Sequence, residues 1–356
     1  IPLRFYGSLS RRDTRLIETK AFWELTHSGR FLQQLGLQEE AELSFSVLGQ
    51  GEYNLNYLFV HPVSGKRLVL RINTGSQMHL QDQIAYEFSA LQALEPSGRT
   101  PKPLFCDNSR ELFPCGILVM EWLPGRPLRY ESDLADAAQI LADIHTTPVP
   151  QQTQLLRPEY PAQAIFEECL EMVEHYYRWE KADSTVCRLL EQLGRGIGKL
   201  PLKEAAKSPR CIVNTELNSG NFLINQGAKS YLIDWEKPIL SEPEQDLGHF
   251  LVPTTTFWKT DVILTPEEIR QFVGLYRQAV GERLDLSTLS ERLPLYFTVT
   301  CLRGVTWCAM AMREYSQPNR PLVNADTFRK IKEYLSPDFL ERILNDYVRR
   351  DFLKGE

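Results

Sequence analysis

The sequence predicts an α+β protein of two lobes, in which a β-rich first lobe precedes a mainly helical second lobe. Strand-like apolar runs are concentrated in the first third of the chain, Pro124-Gly125 then breaks the pattern, and helical periodicity dominates the rest. A chain of 356 residues is long enough for two domains of ordinary size, or for one bilobed unit with a large shared core. We expect one domain over residues 1–122 and another over 123–356, with a hinge at 120–124.

The first lobe is expected to begin with a single helix, because residues 12–36 carry apolar side chains close to helical spacing. A second helix is predicted at about 78–94. The segment Ser64-Gly65-Lys66 is interpreted as a hairpin turn between two strands rather than a phosphate-binding loop, because the required first glycine is missing and no helix follows. The predicted strands are Leu43–Leu48, Asn54–Val60, Arg67–Ile72 and Gly116–Trp122.

The second lobe is predicted to be helical except for a polar region between residues 210 and 236. Ser132 or Asp133 can cap its first helix. The glycines at 194, 196 and 198 follow a helix rather than a strand, which indicates a helix end and not a dinucleotide-binding loop. Two further helices are expected at 161–193 and 294–315, and short strands at Cys211–Val213, Phe222–Asn225 and Tyr231–Ile233.

Composition excludes several classes of function. The net charge of −6 argues against nucleic acid as the main partner, because phosphate binding needs a concentrated basic surface. No apolar run approaches eighteen residues and no signal pattern opens the chain, so we expect no membrane association. The seven cysteines lack zinc-binding spacing, and Cys301 and Cys308 are expected to be core thiols on one helix face. The cysteine pattern favours the reducing cytoplasm.

The chemistry-bearing residues are concentrated in residues 211–236. A strand, a polar loop and a second strand are followed by a carboxylate at the end of a third short strand. Asn221 and Asp234 are expected at the same edge of a two-stranded ribbon. An amide oxygen beside a carboxylate suits a hard cation such as Mg²⁺, which takes few protein ligands. Glu216 can face the same space.

This segment resembles the aminoglycoside phosphotransferase and choline kinase-like family, which has a protein-kinase-like fold. The family's loop reads His-Gly-Asp-Leu-His-Pro-Gly-Asn-Ile-Leu, and a later Ile-Asp-Trp-Glu carries a metal-binding Asp. The resemblance implies that Asn221 and Asp234 are the metal ligands. It places Glu216 at the family's catalytic Asp and Asn214 at the family's His.

The first lobe supports the same resemblance. Gly49, Gly51 and Asn54 lie in a strand–turn–strand that looks like the family's loop over the nucleotide phosphates. Arg71 stands where a cation of the third strand pairs with those phosphates, and Glu87 would orient that cation through an ion pair. The implied cofactors are ATP, or another nucleoside triphosphate, and Mg²⁺.

Three other segments extend the resemblance. The run Leu118–Gly125 looks like the hinge, whose backbone at Met120, Glu121 and Leu123 would meet adenine. His145 stands at a helix end similar to the family's, and Asp246 looks like the residue that braces the catalytic loop.

Two departures from the family's pattern bear on activity. The extra methylene of Glu216 moves the carboxylate by roughly 1 Å, and a misplacement of that size can cost on the order of 100-fold in rate. General-base help is worth roughly 100- to 10,000-fold, although positioning and charge neutralisation dominate phosphoryl transfer. Asn214 removes an imidazole, but its side chain can still hydrogen-bond the backbone.

The leading hypothesis is an ATP- and Mg²⁺-dependent phosphotransferase that acts on a hydroxyl of a small molecule. The alternative is a catalytically weak or inactive nucleotide-binding pseudokinase with a regulatory or scaffolding role. A protein acceptor is disfavoured, because the link between Asp234 and Asp246 is too short for a peptide-docking segment. We expect a monomer or homodimer.

The acceptor itself is left open. Phe257 and Trp258 are interpreted either as pocket-lining or as core residues. Five acidic residues of the second lobe indicate either a site for a cationic substrate or a solvated face. They are Glu236, Glu242, Asp261, Glu267 and Glu268.

Overall fold

In a computed structural model of the chain, the described residues form two compact units. The described residues are 16–51, 53–76, 78, 80–317 and 325–349. The first unit comprises Ile1–Gly125, Val149–Leu155 and Asn225–Pro238, and the second comprises Arg126–Pro148, Leu156–Ile224 and Ile239–Glu356. The chain therefore returns twice to the first unit after leaving it. The domain boundary between residues 122 and 123 stays a prediction.

A five-stranded antiparallel sheet forms the centre of the first unit, and it contains one strand more than the four that the sequence predicts. Its strands are β1 (Ser46–Gln50), β2 (Asn54–Val60), β3 (Arg67–Asn73), β4 (Pro103–Asp107) and β5 (Gly116–Glu121), in the order β1-β2-β3-β5-β4. Strand β4 was not predicted, because it is short and follows a proline-containing segment. Gly65, at φ 67°, closes the turn between β2 and β3, which confirms the hairpin interpretation.

Two helices, not one, precede the sheet. They are α1 (Lys20–Thr26) and α2 (Gly29–Leu35), so the prediction of a single helix over 12–36 is wrong within the described residues. The helix is interrupted here because Ser28 caps the start of a new helix: its hydroxyl accepts a hydrogen bond from the Phe31 backbone N–H at 3.3 Å. Gly36 ends α2 in the left-handed conformation.

The two faces of the sheet have different partners. Alternate residues of β2, Leu55, Tyr57 and Phe59, are buried with apolar side chains of α1 and α2. The opposite face of β2 and β3 carries polar side chains, including Arg71, toward helix α3 (Gln83–Leu94). The alternation of side chains along these strands therefore separates an apolar core from a polar cluster.

The second unit is mainly helical. Four short strands lie between residues 211 and 241 of the chain: β6 (Cys211–Val213), β7 (Phe222–Leu223), β8 (Tyr231–Leu232) and β9 (Ile239–Ser241). Strands β6 and β9 pair within the second unit, whereas β8 belongs to the first. The helices are α4 (Leu134–His145), α5 (Pro161–Tyr177), α6 (Ser184–Ile197), α7 (Pro243–Leu251), α8 (Pro253–Lys259), α9 (Pro266–Val280), α10 (Leu289–Tyr315), α11 (Ala325–Tyr334) and α12 (Pro337–Ile343).

Two predictions about this unit need correction. The single helix over 161–193 is in fact α5 and α6, because the Asp183 carboxylate accepts hydrogen bonds from the backbone of Thr185 and Val186 and begins α6. Asp133 stands at the start of α4, but its carboxylate binds Arg126 instead of capping the helix. The glycines near 196 do mark a helix end, as predicted.

Helix α10 is the longest described helix, with 27 residues. Cys301 and Cys308 are both buried on it, which confirms that they are core thiols. By length and composition α10 could cross a membrane, but 72% of its apolar 18-residue stretch is buried inside the protein. The expected absence of membrane association and the cytoplasmic location stay predictions.

Candidate active site

The polar cluster of the first unit is centred on Arg71. Its guanidinium lies 2.5 Å from a carboxylate oxygen of Glu87 on α3, and its Nε donates to the Asn56 side-chain oxygen at 2.9 Å. A carboxylate oxygen of Asp234 is 3.5 Å away. The predicted ion pair between Arg71 and Glu87 is therefore present.

Because this cluster is buried, each of its charges needs an opposite charge beside it. The side chains of Arg71 and Glu87 are only 8% and 2% exposed, so neither charge could be tolerated without the other. Burial alone would lower the pKa of Arg71, but Glu87, Asp234 and Glu236 outweigh it and raise that pKa. Arg71 is therefore a fixed cation. Asp234, with 33% of its side chain exposed, is the most open charged group of these contacts.

The segment that carries Asp234 is fastened within the first unit. Glu236 accepts a hydrogen bond from the Asn54 side chain, and its backbone carbonyl accepts one from Gln83 at 2.6 Å. The Trp235 ring is buried. Asp234 adopts the left-handed conformation with φ 66°, which costs of order 1–3 kcal/mol outside glycine. These contacts hold it there.

The hydrogen bonds of the turn between β1 and β2 stabilise the turn itself. The Gly51 N–H donates to the Asn54 carbonyl at 2.8 Å, and Gly49 lies within β1. Asn54 is buried and also accepts from the Asn73 side chain at 2.9 Å. Asn54 therefore fastens the base of the turn to Glu236. The roles of these residues toward a nucleotide stay predictions.

The predicted hinge follows directly from β5. Met120 and Leu123 are buried, and the Glu121 N–H donates to the Lys102 carbonyl at 2.9 Å. The Arg67 guanidinium lies over the Trp122 ring, 4.4 Å from its centre. The segment is thus ordered by β4 and β3, and its contact with adenine stays a prediction.

In the second unit, Asp246 braces the loop that follows β6. Its two carboxylate oxygens accept from the backbone N–H groups of Asn214 and Thr215, both at 2.8 Å. His145 lies 3.2 Å from the same carboxylate, and its other ring nitrogen is 2.9 Å from the Tyr276 hydroxyl. This geometry confirms the brace expected from the sequence.

Contacts inside the loop fix the backbone around Glu216. Asn214 is fully buried, and its side-chain oxygen accepts from the Glu216 N–H at 3.0 Å, as expected for an asparagine at this position. The Asn221 side-chain nitrogen donates to the Glu216 carbonyl at 2.8 Å. Because that nitrogen is engaged, the Asn221 side-chain oxygen is the atom that can coordinate a cation. An amide oxygen is among the oxygen ligands that suit a hard cation such as Mg²⁺.

The model of the phosphotransferase enzyme family matches residues 44–285. The chain belongs to this family. No curated protein gives a significant match to its sequence.

Solved structures with a similar fold include three small-molecule phosphotransferases. The first is an ethanolamine kinase from Plasmodium vivax, at 15% identity and a TM-score of 0.60, covering 96% of this chain and 98% of the other. A choline kinase from Streptococcus pneumoniae has 18% identity, a TM-score of 0.56 and coverages of 86% and 95%. A spectinomycin phosphotransferase in complex with ADP and spectinomycin has 17% identity, a TM-score of 0.54 and coverages of 85% and 91%. The predicted protein-kinase-like fold is confirmed.

The predicted residues fall into two groups, one in each unit of this phosphotransferase. Arg71, Glu87 and Asp234 are brought together in the first unit. Asn214, Glu216 and Asn221 are brought together in the second. Joint use of a metal by Asn221 and Asp234 stays a prediction.

Several polar residues at these sites were not predicted. Asn56 and Gln83 contact the Arg71 cluster from positions with no motif of their own. Arg303, on α10, donates to the Thr215 carbonyl at 3.3 Å and pairs with Glu168 at 3.0 Å. The only signal for Arg303 in the sequence is a cation inside an otherwise apolar helical stretch.

Proposed function

We propose that this chain is an ATP- and Mg²⁺-dependent phosphotransferase that acts on a hydroxyl of a small molecule. The observation that carries the proposal is the buried ion pair of Arg71 and Glu87 with Asp234 at 3.5 Å. A cation fixed between carboxylates, one of them partly exposed, suits the binding of nucleotide phosphates together with a metal. Membership of the phosphotransferase enzyme family supports it.

Each residue has a distinct role in the proposal. Arg71 binds phosphate oxygens of the nucleotide. Asp234 and Asn221 hold Mg²⁺, which neutralises phosphate charge when it is bound. The acceptor oxygen forms a bond to the γ-phosphorus, the bond from that phosphorus to the bridging oxygen of ADP breaks, and the hydroxyl proton passes to the Glu216 carboxylate.

We propose a cationic alcohol as the acceptor. The similar structures include an ethanolamine kinase and a choline kinase, and both of those substrates carry a hydroxyl and a positively charged nitrogen. The spectinomycin phosphotransferase binds ADP, which supports an adenine nucleotide as the donor.

Incubation with ATP, Mg²⁺ and a panel of amino alcohols, sugars and aminoglycosides tests the proposal. With at least one compound, we expect the wild type to release ADP at a rate well above that of Asp234→Ala. Omission of Mg²⁺ should lower the wild-type rate by as much as the Asp234→Ala substitution does. Isothermal calorimetry with ATP and Mg²⁺ supplies the binding arm. Absence of binding heat, or equal turnover in wild type and variant with every compound, would contradict the proposal.

The departures at Glu216 and Asn214 favour a second candidate, a nucleotide-binding pseudokinase with a regulatory or scaffolding role. In that case ATP raises the melting temperature, while Glu216→Gln changes no measurable activity. In the case of an active enzyme, Glu216→Gln lowers kcat by roughly 100-fold or more, as expected for loss of a general base.

A further inference from the structure

Arg303 lies on α10 at the point where this helix approaches both α5 and the loop after β6. Its Nε donates to a carboxylate oxygen of Glu168 at 3.0 Å, and a terminal nitrogen donates to the Thr215 carbonyl at 3.3 Å. The Arg303 side chain is 20% exposed and that of Glu168 is 45% exposed. One guanidinium thus joins two elements of the second unit.

The electrostatic environment couples Arg303 to Glu216 as well. Burial lowers the pKa of Arg303, but Glu168 and then Glu216 outweigh this effect and raise that pKa. Arg303 is therefore a permanent cation that attracts the Glu216 carboxylate. A glutamate has one more rotatable bond than an aspartate, so such an attraction narrows the positions that its carboxylate can take.

The backbone beside Glu216 needs support. Thr215 has φ 70°, and a β-branched residue in this region is a genuine outlier. Asp246 accepts from the Thr215 N–H at 2.8 Å, and Arg303 donates to the Thr215 carbonyl. Two buried or half-buried charges therefore hold the two ends of one strained residue.

The peptide unit between Thr215 and Glu216 is held on both of its polar groups. Arg303 binds its carbonyl, and the Asn214 side chain binds its N–H at 3.0 Å. The orientation of that peptide decides the direction in which the Glu216 side chain leaves the backbone. A change of about 1 Å at a reacting group can cost on the order of 100-fold in rate.

We propose that Arg303 is a positioning residue for Glu216, which it serves by fixing the preceding peptide unit and by attracting the carboxylate. This proposal rests on the proposed phosphotransferase function, because it assigns Glu216 its role as proton acceptor. It also accounts for how a glutamate can serve where the family has an aspartate: a fixed cation restrains the longer side chain.

Kinetics of Arg303 variants test the proposal. Arg303→Met should lower kcat by about 10- to 100-fold and leave the KM for ATP within about twofold, because the change acts on the loop rather than on the nucleotide. Arg303→Lys keeps the charge and should recover part of the loss. In the Glu216→Gln background, Arg303→Met should have no further effect on kcat, since both changes remove the same contribution.

Arg313→Met is the matched control. Arg313 also lies on α10 and donates to a carbonyl of α5, that of His175, at 3.1 Å, whereas no hydrogen bond joins it to the loop among the described residues. The kcat of Arg313→Met should equal that of wild type. Independent effects of Arg303→Met and Glu216→Gln on kcat, or an equal loss in Arg313→Met, would overturn the proposal.

Amide hydrogen exchange provides a readout that does not need turnover. The N–H groups of residues 214–218 should exchange about tenfold faster in Arg303→Met, as expected for loss of one charge-assisted hydrogen bond. Their exchange rates should be unchanged in Arg313→Met. If wild type shows no turnover with any acceptor, the proposed function fails while this measurement still tests the positioning. Unchanged exchange in Arg303→Met would overturn the positioning role by itself.

Discussion

The Arg71 cluster of the first unit and the loop around Glu216 in the second are built by different means. The cluster is held by contacts between charged side chains, above all the buried pair of Arg71 and Glu87. The loop is held through its backbone, because Asp246, Asn214 and Asn221 all bind peptide groups.

This difference explains where the sequence can depart from the family's pattern. A side-chain cluster depends on the identity of its members, and the cluster keeps its cation and its carboxylates. A loop fixed through its peptide groups keeps its conformation when the side chain of one member changes. The predicted replacement of the family's aspartate by Glu216 is therefore compatible with an ordered loop, and we expect the effect of this change to fall on rate rather than on folding.

The largest expected effect comes from breaking the side-chain cluster. Arg71→Met leaves Glu87 buried without its cation, and removal of one partner of a buried pair costs about 3–5 kcal/mol. Urea unfolding should show this loss, together with weaker ATP binding in calorimetry. Arg67→Met is the control, because Arg67 lies on the same strand but is exposed over Trp122, where a cation–π contact is worth about 1 kcal/mol. Equal losses in the two variants would contradict the comparison.

The backbone brace of the loop should come next. Asp246→Ala leaves the buried N–H groups of Asn214 and Thr215 without their acceptor, and each such group costs about 1–3 kcal/mol. We therefore expect a loss of about 2–4 kcal/mol in urea unfolding. Asp246→Asn keeps one side-chain oxygen and should lose less. If both variants unfold as wild type does, the loop is fixed by other contacts.

Some of this arrangement could be predicted from the sequence, and the missed parts have physical causes. The order of motifs predicted the ion pair of Arg71 and Glu87 and the contact of Asp246 with the loop, because each of these residues has a chemistry tied to a local pattern. The helix breaks at Ser28 and Asp183 were missed, since the apolar spacing continues across them and only the capping contact ends the helix. Arg303 was missed because its partner is 88 positions away in the chain.

A pH titration sharpens the contrast between the two regions, because α7 carries a second buried carboxyl near Asp246. Glu244 accepts a hydrogen bond from the Ser208 hydroxyl. Burial raises the pKa of Glu244 to about 7, opposed mainly by this hydrogen bond and assisted by the charge of Glu242. The folded protein therefore keeps this proton up to about pH 7, whereas the unfolded chain releases it near its ordinary value of 4.5. The unfolded state binds fewer protons in that window, so stability falls as pH rises through it.

The size of this pH effect can be measured with Glu244→Gln, which mimics the protonated carboxyl. Wild type should lose at most about 3 kcal/mol of unfolding free energy across the window, since one pKa unit corresponds to about 1.4 kcal/mol. The variant should lose less and should exceed wild type in stability above pH 7. Parallel pH profiles of the two proteins would show that Glu244 does not titrate there.

The smallest expected effect on stability belongs to Glu216→Asp, the change toward the family's residue. Because the peptide groups on both sides of residue 216 are bound by Asn214, Asn221 and Arg303, the free energy of unfolding should change by less than about 0.5 kcal/mol. The turnover should nevertheless fall, by on the order of 100-fold if the shorter carboxylate misses the acceptor by about 1 Å. Urea unfolding and ADP release measured on the same preparations separate the two quantities. A rise in kcat would mean that the loop is set for aspartate and that the glutamate detunes it, whereas a large loss of stability would mean that the side chain of Glu216, and not the backbone contacts, fixes the loop.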